Sequence, residues 1–430
     1  MGSKPDGPGR PRMTRRPNWL AARSALCLTS LGLTGALVLL TAAACSSSSS
    51  STAASGPASS ASSSSGASSS CGTIPSKGYS DADGLVKALG GSYAADYNGY
   101  SGTVQKSAWA NWKPKISGQV KVGISISQLV NPYQTELLDS LESDLKAAGY
   151  QVIPLISSEE VTNQIQQFQT LIEDKVNLII YQPLSGPAFT SVVNKAAATG
   201  IPSISVLNNV VDPNTVNLVP NSFIGGAELG QFLVKEDGGK GFILGLHGIL
   251  GVPIDTETMD GANAVFALCP GITTNESIAT QFSPATAKTD VLQFLNTHPG
   301  AVSGVMTTGP FTTGVISAFE QAGRTVPTIT DNGLDEGSLA YWNEHKSTYK
   351  GVGLDNPATG LAAAAVRVTQ DMLAGDGIKL SDIVIAPPLV TSANLSQFVN
   401  PSWTFNSPGT ANGPNDAYFT DSYIDGFFGK

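Results

Sequence analysis

The chain has 430 residues, with 24 Lys+Arg against 33 Asp+Glu, 41% hydrophobic residues and only 13% charged ones. Such a chain can bury a sizeable core, which excludes a disordered protein. Its acidic balance, without any basic cluster, argues against nucleic acid or anionic lipid as a partner.

At the N-terminus, Arg10, Arg12, Arg15, Arg16 and Arg23 precede an uncharged run from Ala25 to Ala44. A basic region, an apolar run and a small-residue end form the layout of a secretory signal. An uncleaved anchor is the alternative, because a run of this length can span a bilayer. Its Ser-rich end, however, lacks a stop-transfer flank. A start at Met13 would give a more ordinary signal length. Ala42, Ala43 and Ala44 directly before Cys45 resemble the lipobox of bacterial lipoproteins, although leucine is commoner where Ala42 stands. That resemblance implies a diacylglycerol on the Cys45 thiol, cleavage before it, and fatty acylation (palmitate, for example) of the new N-terminus. Residues 1–44 are then a signal peptide. The body is expected outside the cytoplasm, anchored to the outer face of the cell membrane.

The leader carries six of the basic residues and one of the acidic ones, leaving 18 against 32 and a net charge of −14. Residues 46–70 are nearly all Ser, Ala and Gly. They cannot bury enough apolar surface to offset chain entropy, so 45–71 reads as a lipidated cysteine on a flexible tether reaching roughly 25–30 Å. Cys27 leaves with the leader. Cys71 and Cys269 remain in a compartment that permits disulfides. A bridge between them would pin the tether to the body, and two unpaired thiols are the alternative. Residues 72–119 form an N-terminal extension, aromatic enough to pack but with no readable job.

From Val120 the pattern becomes regular. "VKVGISI", "QVIPLI", "NLIIYQP" and "IPSISVL" are short β-rich runs, separated by the helix-period segments "YQTELLDSLESDLKAAGY", "NQIQQFQTLIEDK" and "FTSVVNKAAATG". The alternation continues through "FIGGAELGQFLVK", "GFILGLH", "GANAVFAL", "VLQFLNT", "VSGVMTT", "TTGVISAFEQAG", "VPTIT", "YKGVGL" and "LAAAAVRVTQDMLAG". Continuous apolar strands alternating with helices indicate a parallel sheet covered on both faces. There are too many units for one sheet of ordinary width, so two doubly wound α/β lobes are predicted. Ligands of such sheets bind beyond the carboxyl ends of the strands. In "SQLVNPYQTELL", Asn131 can cap a helix and Pro132 suits its first turn.

The order "VGISISQLVNPYQTELLDSLESDLKAAGY", "IIYQPLSG", "IPSISVLNN", "PNSFIGGAELGQFLVK", "LHGILG", "TDNGLDEG" and "GVGLDNPATG" resembles the ribose-type periplasmic sugar-binding proteins, which serve ABC transporters. The resemblance spans about Val120 to Pro387. It implies two lobes joined by three crossovers: lobe one from 120–221 and 355–386, lobe two from 222–354 and 387–430. It also implies a monomer without cofactor or metal, which binds a ligand and docks on a membrane permease. Among the family's contacts, Asn131 and Tyr133 match a sugar-binding Asn and a ring-stacking aromatic, while Gln134 stands where a second aromatic is usual. Phe282 matches the aromatic that closes the stack from lobe two. Leu207, Asn208 and Asn209 replace a frequent Asp-Arg pair. Thr256 falls near an Arg, Thr308 near an Asn, Asn332 near an Asp, and Asp355 or Leu354 near a Gln. Amides and hydroxyls in place of charged groups favour a neutral ligand: ribose itself fits poorly, and a polyol, a different sugar and a less hydroxylated molecule are the alternatives.

His247 is either a cleft residue or a structural imidazole, and Asp255 and Glu257 read as first-turn acids of a helix. The sequence has no nucleophile elbow, zinc helix, Walker loop or cysteine cluster with metal spacing. An enzyme is therefore not expected, and a surface hydrolase using Asp255 or Asp355 has no positive support. A sensory binding protein that presents a signal molecule to a receptor is the alternative, since the fold serves both roles.

Overall fold

The computed structural model describes residues 70–91, 93–157, 160–413 and 418–428. The leader, Cys45 and most of the tether lie outside the described residues. Among the described residues, no helix is long and apolar enough to cross a membrane.

Five strands come first: β1 (Lys121–Ile126), β2 (Gln151–Ile156), β3 (Leu178–Tyr181), β4 (Ser203–Val206) and β5 (Thr215–Pro220). The chain then crosses to a second sheet, containing β6 (Lys240–His247), β7 (Gly271–Ala279), β8 (Gly304–Thr307), β9 (Thr328–Asn332) and β10 (Val352–Leu354). It returns to the first sheet for β11 (Asp382–Ile385) and reaches the second again as β12 (Leu389–Val390). The sheet orders are β11-β5-β4-β3-β1-β2 and β12-β10-β9-β8-β6-β7. All pairings are parallel except β12 on β10.

The period-two alternation of a strand explains why both faces of each sheet are apolar. On β3, Leu178 and Ile180 enter the core on one face, where they share a cluster with Leu137 and Leu361. Ile179 and Tyr181 point the other way, onto Phe168 and Phe189. There Phe168 meets Tyr181 edge-on at 5.0 Å.

Four strands escape a reading based on apolar runs. β7 is an edge strand exposed at Gly271, Thr273, Thr274 and Ser277, so "GITTNESIA" carries a polar pattern. β5 holds a buried Asn217, whose amide bonds Val210 and Asp382 rather than solvent. β11 and β12 have only four and two residues.

Three crossovers join the lobes, at Pro220–Ser222, Leu354–Ala358 and Ile385–Leu389. They are tied to one another: Asn221 N donates to Ile385 O at 2.7 Å, and Asp355 N to Pro388 O at 2.8 Å. The extension packs against this hinge. Asn221 Nδ2 donates to Asp96 O and Asn98 O, and Ala386 N donates to Asp96 Oδ1. Tyr97 and Tyr100 sit in lobe one's core and donate to Asp382. Cys71, by contrast, is disulfide-bonded to Cys269 in lobe two. The extension therefore spans both lobes.

The segment 387–430, expected wholly in lobe two, is divided. Leu395, Phe398 and Ala411 pack on lobe two. Tyr418, Phe419, Ile424, Phe427 and Phe428 enter the core of lobe one instead. Five large apolar side chains within eleven residues need a core face, and lobe one supplies it beside the helix Ala358–Ala374.

Candidate functional site

The carboxyl ends of both sheets face a narrow cleft with a cavity volume of about 40 Å³. On lobe one, Ser127 and Gln128 follow β1, and Gln182 follows β3. The Ser127 hydroxyl donates to Gln182 Oε1 at 3.1 Å, which leaves the amide N–H groups of Gln182 as the donors it can offer. Gln164 fixes the same turn, donating to Gln182 O and accepting from Leu184 N.

Asn131 caps the helix Pro132–Ala147 as its sequence suggests: its backbone is extended and Oδ1 accepts from Gln134 N at 3.1 Å. Its other end reaches the opposite lobe, where Nδ2 donates to Phe282 O at 3.1 Å. Both polar ends of Asn131 are thus engaged by protein, although a sugar contact was expected of it. Gln134 Oε1 accepts from Val130 N. Tyr133 is buried in lobe one's core cluster and also lines the cleft; its hydroxyl has no partner. Burial raises its pKa well above the usual phenol value. Gln128 Oε1 is likewise buried and unpartnered.

Asn208 also bridges the lobes. Its Nδ2 donates to Pro183 O at 2.9 Å, and its Oδ1 accepts from Ile254 N of lobe two at 3.1 Å. Leu207, at φ 68°, turns the chain so that Asn208 enters the cleft while Asn209 does not. Asn209 lies under the extension and donates weakly to Ser101 at 3.4 Å.

On lobe two, Phe282 follows β7 with its backbone in the left-handed region at φ 53°. Its ring is seated on two glycines. A Cβ on Gly248 would come within 2.0 Å of the ring and one on Gly309 within 2.5 Å, so no side chain fits at either position. Thr308 lines the cleft, but its hydroxyl is engaged: it accepts from Gly248 N and donates to Asp255. Asn332 lines it as well and donates to Thr308 O at 3.3 Å.

Asp255 is more than a first-turn acid. It is 1% exposed and takes Gly248 N, Thr308 Oγ1 and His247 Nδ1. Its hydrogen bond, and then that of Glu276, push the His247 imidazole up to about 9. His247 is therefore a charged structural partner behind the cleft wall, not part of the lining. Glu257 is covered by the extension and accepts from Ser101, and burial pushes its carboxyl up to about 7.

Two more expected contacts fall outside the cleft, as Asn209 does. Thr256 is exposed, because on the helix Pro253–Phe266 it stands one step of about 100° round from the inward-facing Asp255. Asp355 lies in the second crossover and lines a separate groove with Arg367 and Gly413. Burial pushes its carboxyl up to about 6. Missed by the sequence reading were Ser127, Gln128 and Gln182 on lobe one, and Ile249, Val252, Ile254 and Pro310 on lobe two. The signal was there: nearly all stand within a few residues of a strand's carboxyl end.

Among the described residues, no Asp, Glu, Lys, Arg or His lines the cleft. Among the described residues there is also no cluster of His, Cys, Asp and Glu able to hold a metal. The chemistry offered is hydrogen bonding and apolar contact to an uncharged molecule.

Residues 122–377 match the model of the periplasmic binding protein domain family. A xylitol-binding protein of Mycolicibacterium smegmatis is 24% identical over 278 residues, covering 64% of this chain and 78% of that protein. A ribose import binding protein of Bacillus subtilis is 23% identical over 235 residues, covering 54% and 76% respectively. Among solved structures, an ABC transporter solute binding protein from Bacillus halodurans with bound myo-inositol superposes with a TM-score of 0.60 at 22% identity, covering 66% of this chain and 98% of that one. With the model matching more than half of its length, and with two hinged parallel-sheet lobes around a cleft, the chain belongs to the periplasmic binding protein domain family.

Proposed function

We propose that this protein is the extracytoplasmic solute-binding component of an ABC importer, which takes a neutral sugar or polyol between its lobes and presents it to a membrane permease. The observation that carries the reading is the cleft: it lies at the carboxyl ends of both sheets, is lined by no charged side chain among the described residues, and is closed by Asn131 and Asn208 reaching across it. The relatives named for xylitol and ribose, and the neighbour holding myo-inositol, support a hydroxylated, uncharged ligand.

Binding in this reading is a closure equilibrium. Apart, the lobes leave Asn131 Nδ2, Phe282 O, Asn208 Oδ1 and Ile254 N hydrated; together, they exchange water for one another. A ligand adds contacts to both jaws and so favours the closed form by its differential affinity alone. No residue of the cleft is arranged as nucleophile or general base, and the ligand leaves as it entered. Cys45 is the lipid anchor, and the Ser-rich segment keeps the body within reach of its permease.

A thermal-shift panel of pentoses, hexoses, alditols and inositols tests the ligand class. A ligand at 100-fold its Kd adds about 2.7 kcal/mol to stability. No shift across the panel, or conversion of a bound compound during incubation, refutes the reading. For the anchor, wild-type protein from a bacterial host should partition into detergent with a lipid mass on Cys45, and Cys45→Ser should be soluble. Identical partitioning of the two refutes it.

A further inference from the structure

The two jaws of the cleft are chemically unlike. Lobe one contributes the more polar wall, with Ser127, Gln128, Tyr133 and Gln182 beside two apolar side chains, Leu184 and Leu207. Lobe two faces it with Ile249, Val252, Ile254, Phe282 and Pro310. Of its two polar side chains there, Thr308 is bonded within the lobe through its hydroxyl and Asn332 through Nδ2, which leaves Asn332 Oδ1 as the acceptor that lobe two offers.

The polar lining also offers less than its residue count suggests. Asn131 and Asn208 are bonded at both ends, Gln134 Oε1 holds Val130 N, and Asn356 Oδ1 accepts from Tyr418. Among the described residues, the buried side-chain atoms of the lining without a partner are Gln128 Oε1 and the Tyr133 hydroxyl, and both belong to lobe one. A fully hydroxylated sugar presents hydroxyls around its whole rim, and each one buried against the apolar side chains of lobe two would lose water without gaining a partner.

We propose that the cleft selects a partly deoxygenated sugar or polyol, with hydroxyls along one edge held by Gln128, Tyr133 and Gln182 and a methyl or methylene face lying on Ile249, Val252, Ile254 and Phe282. The proposal rests on the reading of the cleft as a sugar or polyol site and narrows it. Phe282 serves as the floor for the hydrocarbon face, its ring seated on Gly248 and Gly309. A 6-deoxy sugar places its methyl group where the parent sugar places a hydroxymethyl, so matched pairs isolate one oxygen atom.

The test is calorimetric titration of wild-type protein with three such pairs: L-fucose against L-galactose, L-rhamnose against L-mannose, and propane-1,2-diol against glycerol. In at least one pair the deoxygenated member should bind about tenfold tighter or more, the discrimination expected when a hydroxyl enters an apolar wall unpaired. In Ile249→Asn, which supplies lobe two with a polar partner, that ratio should shrink at least threefold. If the fully hydroxylated members bind equally or more tightly, the selection proposed here is wrong while the sugar-binding reading stands. If none of the six binds and the wider panel is silent too, both fall together.

Discussion

Asn131→Ser separates the two jobs that Asn131 performs. Serine is as good an N-cap as asparagine, so the bond to Gln134 N survives and the helix Pro132–Ala147 keeps its start. The shorter side chain has no amide to reach Phe282 O, which is 3.1 Å from Asn131 Nδ2 in the wild type. That carbonyl is then buried without a partner when the lobes close and hydrated when they part, so the loss falls on the closed form. Leaving a buried acceptor unsatisfied costs about 1–3 kcal/mol. The closure constant, and with it the affinity for the tightest compound of the panel, should fall about 5- to 150-fold. Asn131→Ala loses the same bond and the cap as well, so it should bind as weakly and also melt lower, by about 1 kcal/mol of stability. The assay is titration calorimetry for affinity and a melting curve without ligand for stability. Unchanged affinity in Asn131→Ser, or the same melting loss in both variants, would refute the separation.

Tyr133→Phe removes a buried hydroxyl that has no protein partner, so the variant should be at least as stable as wild type while binding its ligand more weakly; a stability loss above about 1 kcal/mol would show that the hydroxyl is satisfied within the protein. Stability should fall as pH rises from 4 to 9, measured by denaturant titration. Burial raises Asp331, Asp355 and Asp382 to about 6 and Glu228 and Glu257 to about 7, so in that window the folded state holds more protons than the unfolded one. His247, raised to about 9 by Asp255 and Glu276, adds stability that is complete below 6.5 and lost through 9; the lowered Glu276 works the other way and is a smaller part of the balance. A stability rising toward pH 9 would contradict these burials. Reduction of Cys71–Cys269 opens a loop with a sequence separation of 198, which by chain entropy lowers stability by at most about 5 kcal/mol. Cys71→Ser/Cys269→Ser should still bind ligand, because neither residue lines the cleft, and loss of binding at temperatures where the variant is folded would tie the extension to closure.

The lobes were legible from sequence because a sheet covered on both faces needs apolar side chains at every strand position. That need writes runs such as "NLIIYQP" and "GFILGLH" into the chain. Asn131-Pro132 was legible for a local reason, since a cap and a proline at the first turn act within four residues. The site was legible only in part. Asn131, Tyr133, Gln134, Asn208, Phe282, Thr308 and Asn332 do come together in one cleft. Thr256 stands one helical step away and faces water, and Asp355 was drawn into the hinge by its bond to Pro388.

What the sequence by itself determined is what periodicity and local hydrogen bonding encode: two doubly wound lobes, an uncharged set of strand-end residues, and the capped helix above them. Tertiary structure alone decided which amides remain free. Asn131 and Asn208 find their partners 151 and 46 residues away in the chain, on the opposite lobe. It likewise decided that the extension buttresses the hinge, that the C-terminal aromatics belong to lobe one, and that one jaw is more polar than the other. Those outcomes depend on which surfaces meet when two lobes close, and contacts of that range leave no period in the chain for a reader to find.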